Sequence, residues 1–313
     1  MDNIKTIHSA ARFIEITSAQ VNQRIDNFLI KTLKTVPRSR IYRIIRKGEV
    51  RINKKRCKPD YKLQLADSVR IPPIYQDATD SAELYIPHSL ITEIDQSVLF
   101  ENKHFLVINK PAGIAVHSGS GIRYGVIDIM RRLRSDQDIE LVHRLDRGTS
   151  GCLLLAKHRQ SLLQLQKLLQ SNQMNKIYHA VVKGTWDQSV KTIRHPLLKK
   201  TLSNGEKRMM VNGSGQKAQS EILRNEKFED FSFLTIQLIT GRTHQIRVHC
   251  QAEGHEIAGD DKYGDRQFNQ LMKKRCSGRL MLHASRLEIE HNPYCDDLVI
   301  NAPLPVAFKK LSL

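Results

Sequence analysis

The stretch LVHRLDRGTSG, Leu141 to Gly151, sets a single carboxylate, Asp146, between Arg144 and Arg147 and follows it with Gly-Thr-Ser-Gly. Gly148 and Gly151 allow a tight backbone path, so the segment reads as a loop that presents the acid just ahead of the apolar run CLLLA. A carboxylate placed this way suits a nucleophile. The same eleven residues also suit a plain surface ion pair with Arg144 or Arg147.

A second stretch, TGRTHQIRVHCQAEGHEI, runs from Thr240 to Ile257. Its pattern predicts a helix from about His244 to Glu253, capped by Thr243 and ended by Gly254. Arg242 then falls in the loop before the helix, where it is expected to reach Asp146 and to hold and orient the acid. His244, His249, His255 and Cys250 match no standard zinc spacing, and HSGSG lacks the Gly-Lys-Ser/Thr of a phosphate loop. No Ser or Cys nucleophile sits in an elbow motif. The expectation is a site with no metal and no cofactor.

The rest of the chain must position these residues and supply a partner. With 313 residues, two domains are expected. Fifty Lys and Arg against 32 Asp and Glu leave a formal net charge of +18, and a pI near 9.8 favours a polyanion as partner. The charge is clustered: Gln20 to Pro72 holds 15 Lys or Arg and 4 Asp or Glu. From Ile71 to Asn102 there is no Lys or Arg at all, a compositional break that marks a linker. Five scattered cysteines without a Cys-x-x-Cys pair point to a reducing cytoplasm. The first residues carry no signal-peptide pattern, and no window approaches the roughly 18 apolar residues of a membrane span.

In QVNQRIDNFLIKTL, residues Val21, Ile25, Phe28, Leu29 and Leu33 recur at helical spacing. A second helix is expected after Pro37 with Ile41, Ile44 and Ile45 inward, Arg40, Arg43, Arg46 and Lys47 on its other face, and Gly48 as its stop. EVRIN and SVRIPP alternate as short strands. This region reads as a nucleic-acid-binding module with a cationic face. Beyond Val98, FLVIN, CLLLA, IYHAVV and FLTIQLI read as strands, and HRQSLLQLQKLLQSNQM as an amphipathic helix packing Leu162, Leu165 and Leu169. Few regular βαβ alternations appear, so the fold class is α+β with a mixed, largely antiparallel sheet. The expected division is an extension over 1–17, an RNA-binding domain over 18–75, a linker over 76–97 and a catalytic domain over 98–313.

Four ordered motifs carry a resemblance to the RluA family of pseudouridine synthases: KPAGIAVHSGSG, HRLDRGTSG, KIYHAVVKG and TGRTHQIRVH. QRIDNFL through YRIIRKGEVRIN is similar to an S4 RNA-binding domain. The resemblance implies isomerisation of uridine to pseudouridine in RNA by base flipping, without cofactor or metal. It implies Asp146 as the essential carboxylate, Tyr178 against the base and in proton transfer, Arg242 paired to Asp146, and Arg144 filling the gap left by the flipped nucleotide. The expected partner is 23S rRNA of the large ribosomal subunit, bound by a monomer. A tRNA or other rRNA substrate, and a non-catalytic RNA-binding assembly factor, are the alternatives. Gly148 departs from the family pattern, which has an acidic residue there.

Overall fold

The computed structural model describes residues 7–18, 20–33, 36, 38–76, 85–119 and 122–311. The chain divides into two compact units, Met1–Tyr85 and Ile86–Leu313. The first contains β1 (Ile7–Ser9), β2 (Arg12–Glu15), α1 (Ile25–Thr32), α2 (Arg38–Arg46), β3 (Arg51–Ile52), β4 (Lys55–Arg56), β5 (Ser68–Ile71) and β6 (Ile74–Gln76). A four-stranded sheet in the order β2-β5-β3-β4 backs the two helices. Ile25, Phe28 and Leu29 of α1 and Ile41, Ile44 and Ile45 of α2 close the core over Val69 and Ile71. Buried Asp26 ties the helices together, accepting from Arg24 Nε at 3.1 Å and Nη2 at 2.6 Å, and from the Tyr42 hydroxyl at 3.1 Å.

Three expectations change here. The first helix starts at Ile25 and not at Gln20. Residues 22 to 25 instead pair their backbone with 61 to 63, through Asn22 N–H to Leu63 O, Leu63 N–H to Gln23 O and Ile25 N–H to Tyr61 O. The extension expected over 1–17 supplies β2, which pairs with β5 from Arg12↔Ile71 to Glu15↔Ser68. Part of the linker expected over 76–97 is a helix of the second unit, with Ile94 fully buried in that unit's core. Residues 1–6, Pro37, 77–84 and Ser120–Gly121, on which parts of the sequence reading fall, lie outside the described residues.

The second unit contains α3 (His88–Gln96), β7 (Val98–Glu101), β8 (Phe105–Lys110), α4 (Val126–Leu133), β9 (Glu140–Leu141), β10 (Ser150–Ala156), α5 (Arg159–Gln170), β11 (Met174–Lys183) and β12 (Thr192–Ile193). It continues with β13 (Leu197–Thr201), β14 (Lys207–Val211), β15 (Ser220–Lys227), β16 (Phe231–Leu238), α6 (Gln245–Ala252), α7 (Arg266–Arg275), β17 (Leu282–Ile289), β18 (Leu298–Asn301) and α8 (Val306–Lys309). Ten strands form one sheet along β12-β15-β16-β11-β17-β10-β8-β7, with β18 added to β17 and β9 to β10. Only β10 with β17 is parallel among the described pairs, at Ser150↔His283 and Gly151↔Ala284, so the sheet is mixed and largely antiparallel. The apolar runs that alternate or stay continuous in sequence fill both faces: Leu153 and Leu155 lie in one cluster, Leu154 and Ala156 in the other, the second covered by Leu162 and Leu165 of α5.

Two fully buried histidines fasten this framework. His283 on β17 donates from Nε2 to Ala302 O at 3.3 Å and accepts at Nδ1 from the Ser150 hydroxyl at 2.8 Å. His249 on α6 donates from Nε2 to His195 O at 3.1 Å and accepts from the Ser220 hydroxyl at 3.0 Å. Burial pushes both imidazoles down to about 4, well under the ordinary value near 6.5. The unfolded chain therefore takes up protons between those limits while the folded chain does not. The stability at stake is complete above about pH 6.5 and is lost as the pH falls to about 4, with a slope of up to about 1.4 kcal/mol per pH unit for each proton. Thermal unfolding followed from pH 7 to 4 is expected to show a falling melting temperature, and His283→Asn is expected to flatten that slope by about one proton's worth.

Candidate active site

Asp146 stands on the loop that leads into β10, and two neighbouring segments brace it. Lys110, at the end of β8 and fully buried, donates from Nζ to Pro111 O at 2.8 Å, to Ile114 O at 2.9 Å and to Arg147 O at 3.3 Å. Gly113 N–H and the Arg147 side chain complete the seam, from Gly113 N to Arg147 O and from Arg147 Nε to Gly113 O, both at 2.8 Å. Burial, with Arg279 adding to it, pushes the Lys110 ammonium down to about 7. Gly151 takes a left-handed φ of 109°, and a Cβ there would run into the Ala284 carbonyl, so glycine is required where β10 meets β17. Gly148 is small for a different reason: a Cβ would lie 3.1 Å from Leu280 Cβ, which leaves little room for the acidic side chain of the family pattern.

The arginine that pairs with Asp146 is Arg247. Its Nη1 donates to Asp146 Oδ2 at 3.0 Å, while Nε and Nη2 form a fork on Asp260, at 2.7 Å to Oδ2 and 2.8 Å to Oδ1. Burial opposes the Asp260 charge, but the Arg247 fork and the backbone N–H groups of Lys262 and Tyr263 outweigh it, and the carboxyl is held below its usual range. The same partners raise Arg247 against its own desolvation.

Arg242, expected from the sequence to make this pair, is exposed and donates from Nε to Lys217 O at 3.1 Å. The reason lies in the turn. Gln245, buried at the start of α6, accepts from Thr240 Oγ1 and Arg242 N and donates to Gln219 O, which pins residues 240 to 245 and sends Arg242 outward. Thr243 is not the cap either: His244 occupies the cap position, in left-handed geometry with φ 54°, and Gly254 follows the helix at φ 79°. One signal for Arg247 was present in the sequence. A cation in the first turn of a helix opposes the helix dipole, so it needs a carboxylate partner there.

Tyr178 reaches the same place from β11. It pairs with Ala284 of β17, which pairs with Gly151 of β10, so the phenol lies two strands from the residue that ends the aspartate loop. Asp146, Tyr178, Arg144, Arg242, His244 and Arg247 all line one open hollow. Burial, and then the Asp146 charge, push the Tyr178 hydroxyl up, so it keeps its proton at neutral pH. Arg144 is exposed at the rim. Oδ2 of Asp146 is occupied by Arg247, among the described residues no hydrogen bond reaches Oδ1, and His244 Nε2 lies 3.9 Å from Oδ1. One carboxylate oxygen is thus anchored, and the other is left without a hydrogen bond among the described residues.

In the first unit, Arg43, Arg46 and Lys47 are exposed on and just after α2, and Arg40 is half-buried. Arg40, Arg43 and Lys47 line a shallow hollow with Glu49. Among the described residues no group of three or more His, Cys, Asp or Glu is placed to hold a metal ion, and no helix is long and apolar enough to cross a membrane.

The model of the RNA pseudouridylate synthase family matches residues 104–252, and that of the S4 domain matches residues 23–69. The ribosomal large subunit pseudouridine synthase C of Pasteurella multocida is 45% identical over 308 residues, covering 98% of this chain and 94% of that protein. Its namesake in Escherichia coli is 44% identical over 311 residues, covering 98% and 97%. Among solved structures, human RNA pseudouridylate synthase domain containing 1 aligns with a TM-score of 0.53 at 26% identity, over 67% of this chain and 83% of that one. Human RNA pseudouridylate synthase domain containing 4 shares the fold, with a TM-score of 0.57 at 24% identity over 72% and 96%. The chain belongs to the RNA pseudouridylate synthase family, as a pseudouridine synthase of RluA type with an S4 domain near its N-terminal end.

Proposed function

We propose that the protein isomerises specific uridines of 23S rRNA to pseudouridine, with Asp146 as the essential carboxylate. The observation that carries this reading is the asymmetry of that carboxylate: Oδ2 is held by Arg247, while Oδ1 has no hydrogen bond among the described residues, in a side chain that lines a hollow together with Tyr178. The near full-length relatives, named for the large ribosomal subunit, support the substrate class. In the reaction the C1'–N1 bond breaks, the freed uracil turns and C5 bonds to C1'. The hydrogen of C5 leaves as a proton and N1 takes one up, so the product is an isomer.

Each group then has a role that its surroundings support. Asp146 Oδ1 engages the nucleotide, and Arg247 keeps the carboxylate charged and aimed. Tyr178 offers a ring for the base and a protonated hydroxyl for hydrogen bonding. Arg144, at the rim, fills the place the flipped nucleotide leaves in its stack. Arg242 contributes charge to the rim, not orientation to the acid. Arg40, Arg43, Arg46 and Lys47 bind phosphates of the rRNA. Five unpaired thiols support a reducing cytoplasm.

Incubation with deproteinised 23S rRNA, followed by carbodiimide treatment and primer extension, is expected to reveal new pseudouridine stops with the wild type. Asp146→Asn is expected to abolish them while RNA binding survives, and product from that variant would overturn the role of the acid. Arg247→Lys, which cannot form the fork, is expected to lower turnover on the order of 100-fold. Arg242→Ala is expected to keep near wild-type turnover, and equal losses for both arginines would contradict the assignment. Neutralising Arg40, Arg43, Arg46 and Lys47 to Gln is expected to make the slope of log affinity against log salt shallower by about 3. A filter-binding titration across salt concentrations reads that slope.

A further inference from the structure

We infer that His244 is a substrate-contacting hydrogen-bond donor: its Nε2–H meets the O2 carbonyl of the flipped uracil beside the glycosidic bond, and Tyr263 fixes the ring in the tautomer that makes this possible. The inference deepens the reading above and rests on it.

Proton accounting sets the tautomer. The buried Tyr263 hydroxyl accepts the Met209 N–H at 3.0 Å, and its own proton needs an acceptor. His244 Nδ1 lies 2.8 Å away and provides one. With Nδ1 accepting, a neutral imidazole carries its proton on Nε2, the atom that faces Asp146. Two guanidinium groups lie over the Tyr263 ring, Arg247 at 5.0 Å and Arg208 at 5.8 Å, and their charge favours Tyr263 as the donor in this bond. Desolvation lowers the imidazole's affinity for a proton, with the Asp146 charge opposing it, which keeps the ring neutral.

Position sets the target. Nε2 is 3.9 Å from Asp146 Oδ1, too far for a hydrogen bond and close enough that both atoms reach the same small part of a ligand. Around a glycosidic bond the oxygens within that span are uracil O2, the ribose 2'-hydroxyl and the ring oxygen O4', the last of which loses electron density as the bond breaks. When C1'–N1 breaks, negative charge grows on the uracil and appears on O2, whereas the 2'-hydroxyl acquires none. A fixed neutral donor therefore gains most at O2, and the gain appears as turnover.

The backbone gives independent support. His244 holds a left-handed φ of 54° at the cap position of α6 and makes no capping hydrogen bond with its side chain. Neither the conformation nor the position favours histidine over Asn, Asp or Gly, so the residue answers to something in the hollow.

The test compares His244→Phe, which keeps a ring without a donor, with His244→Gln, whose amide restores an N–H near the Nε2 position. On a short RNA with a single target uridine, His244→Phe is expected to lose about 100-fold in kcat with little change in KM, and His244→Gln to regain about tenfold of that loss. Tyr263→Phe is expected to fall between wild type and His244→Phe. Replacing the target with 2-thiouridine, a weaker acceptor at that position, is expected to slow the wild type and to leave His244→Phe no slower, whereas a 2'-deoxy target is expected to slow both alike. Phe turnover near wild type, Phe and Gln losing equally at unchanged melting temperature, or a 2'-deoxy effect confined to the wild type would each overturn the inference. If His244→Phe does not fold, the 2-thiouridine effect in Tyr263→Phe and in His244→Gln decides by the same comparison. Absence of product from the wild type would sink the underlying reading instead.

Discussion

A guanidinium offers five N–H donors, and Arg247 directs three of them at two carboxylates from different parts of the chain. Asp260 takes the fork and is itself held by two backbone N–H groups, so the orientation of Arg247 is set before Asp146 is considered. Breaking such a buried arrangement by removing one partner typically costs about 3–5 kcal/mol, because the charge left behind stays out of water. Arg247 matters here for position more than for stability. A planar cation fixed by Asp260 leaves Asp146 one geometry for Oδ2, and Oδ1 is left without a hydrogen bond among the described residues. Preorganisation of this kind needs no rearrangement at the moment of reaction.

The sheet explains why residues so distant in sequence can share this site. Because β10 and β17 are parallel, the segments entering both strands emerge at the same end, which brings the aspartate loop against Leu280. β8 runs antiparallel to β10, with Lys110 opposite Gly151, so the end of β8 delivers a buried lysine to the carbonyls of that loop. Tyr178 comes in across β17 at a bulge, where Ile177 pairs with Arg286 and Tyr178 with Ala284. A strictly antiparallel sheet would send the connection before β17 to the opposite end. The single parallel pair is thus the feature of the topology on which the aspartate loop's packing rests.

Much of this was readable in the residues, and what was not has physical causes. Asp146 stood out as a lone acid between arginines before a continuous apolar strand, but those residues suit a surface ion pair equally well, and only the ordered motifs around them favoured a reactive group. The strands were legible from β-branched and leucine-rich runs that the structure buries. The choice between Arg242 and Arg247 was marked only by the helix dipole, because it depends on how Gln245 pins a turn through Gln219 and Ser220, contacts made across 25 or 26 residues. The acidic break after Ile71 marked the unit boundary, yet its composition hid α3, whose burial of Ile94 decides its place. The glycine at 148 looked like a gain in loop freedom and is better explained by the closeness of Leu280.

The distribution of charge follows from what the proposed reaction demands. A uracil still stacked in RNA cannot bring its glycosidic bond into a hollow lined by Asp146, and extrusion costs a few kcal/mol. Contacts that strengthen only as the bond breaks cannot supply that energy in advance, so it has to come from binding that is indifferent to the chemistry. Phosphate contacts are of that kind, and residues 20–72 of the first unit, with 15 Lys or Arg against 4 Asp or Glu, carry a dense excess of positive charge. Beside Asp146 the charge is balanced locally, with Arg247 answered by Asp146 and Asp260. A strongly basic chain with a neutralised centre is what results when affinity and reactivity are assigned to different residues.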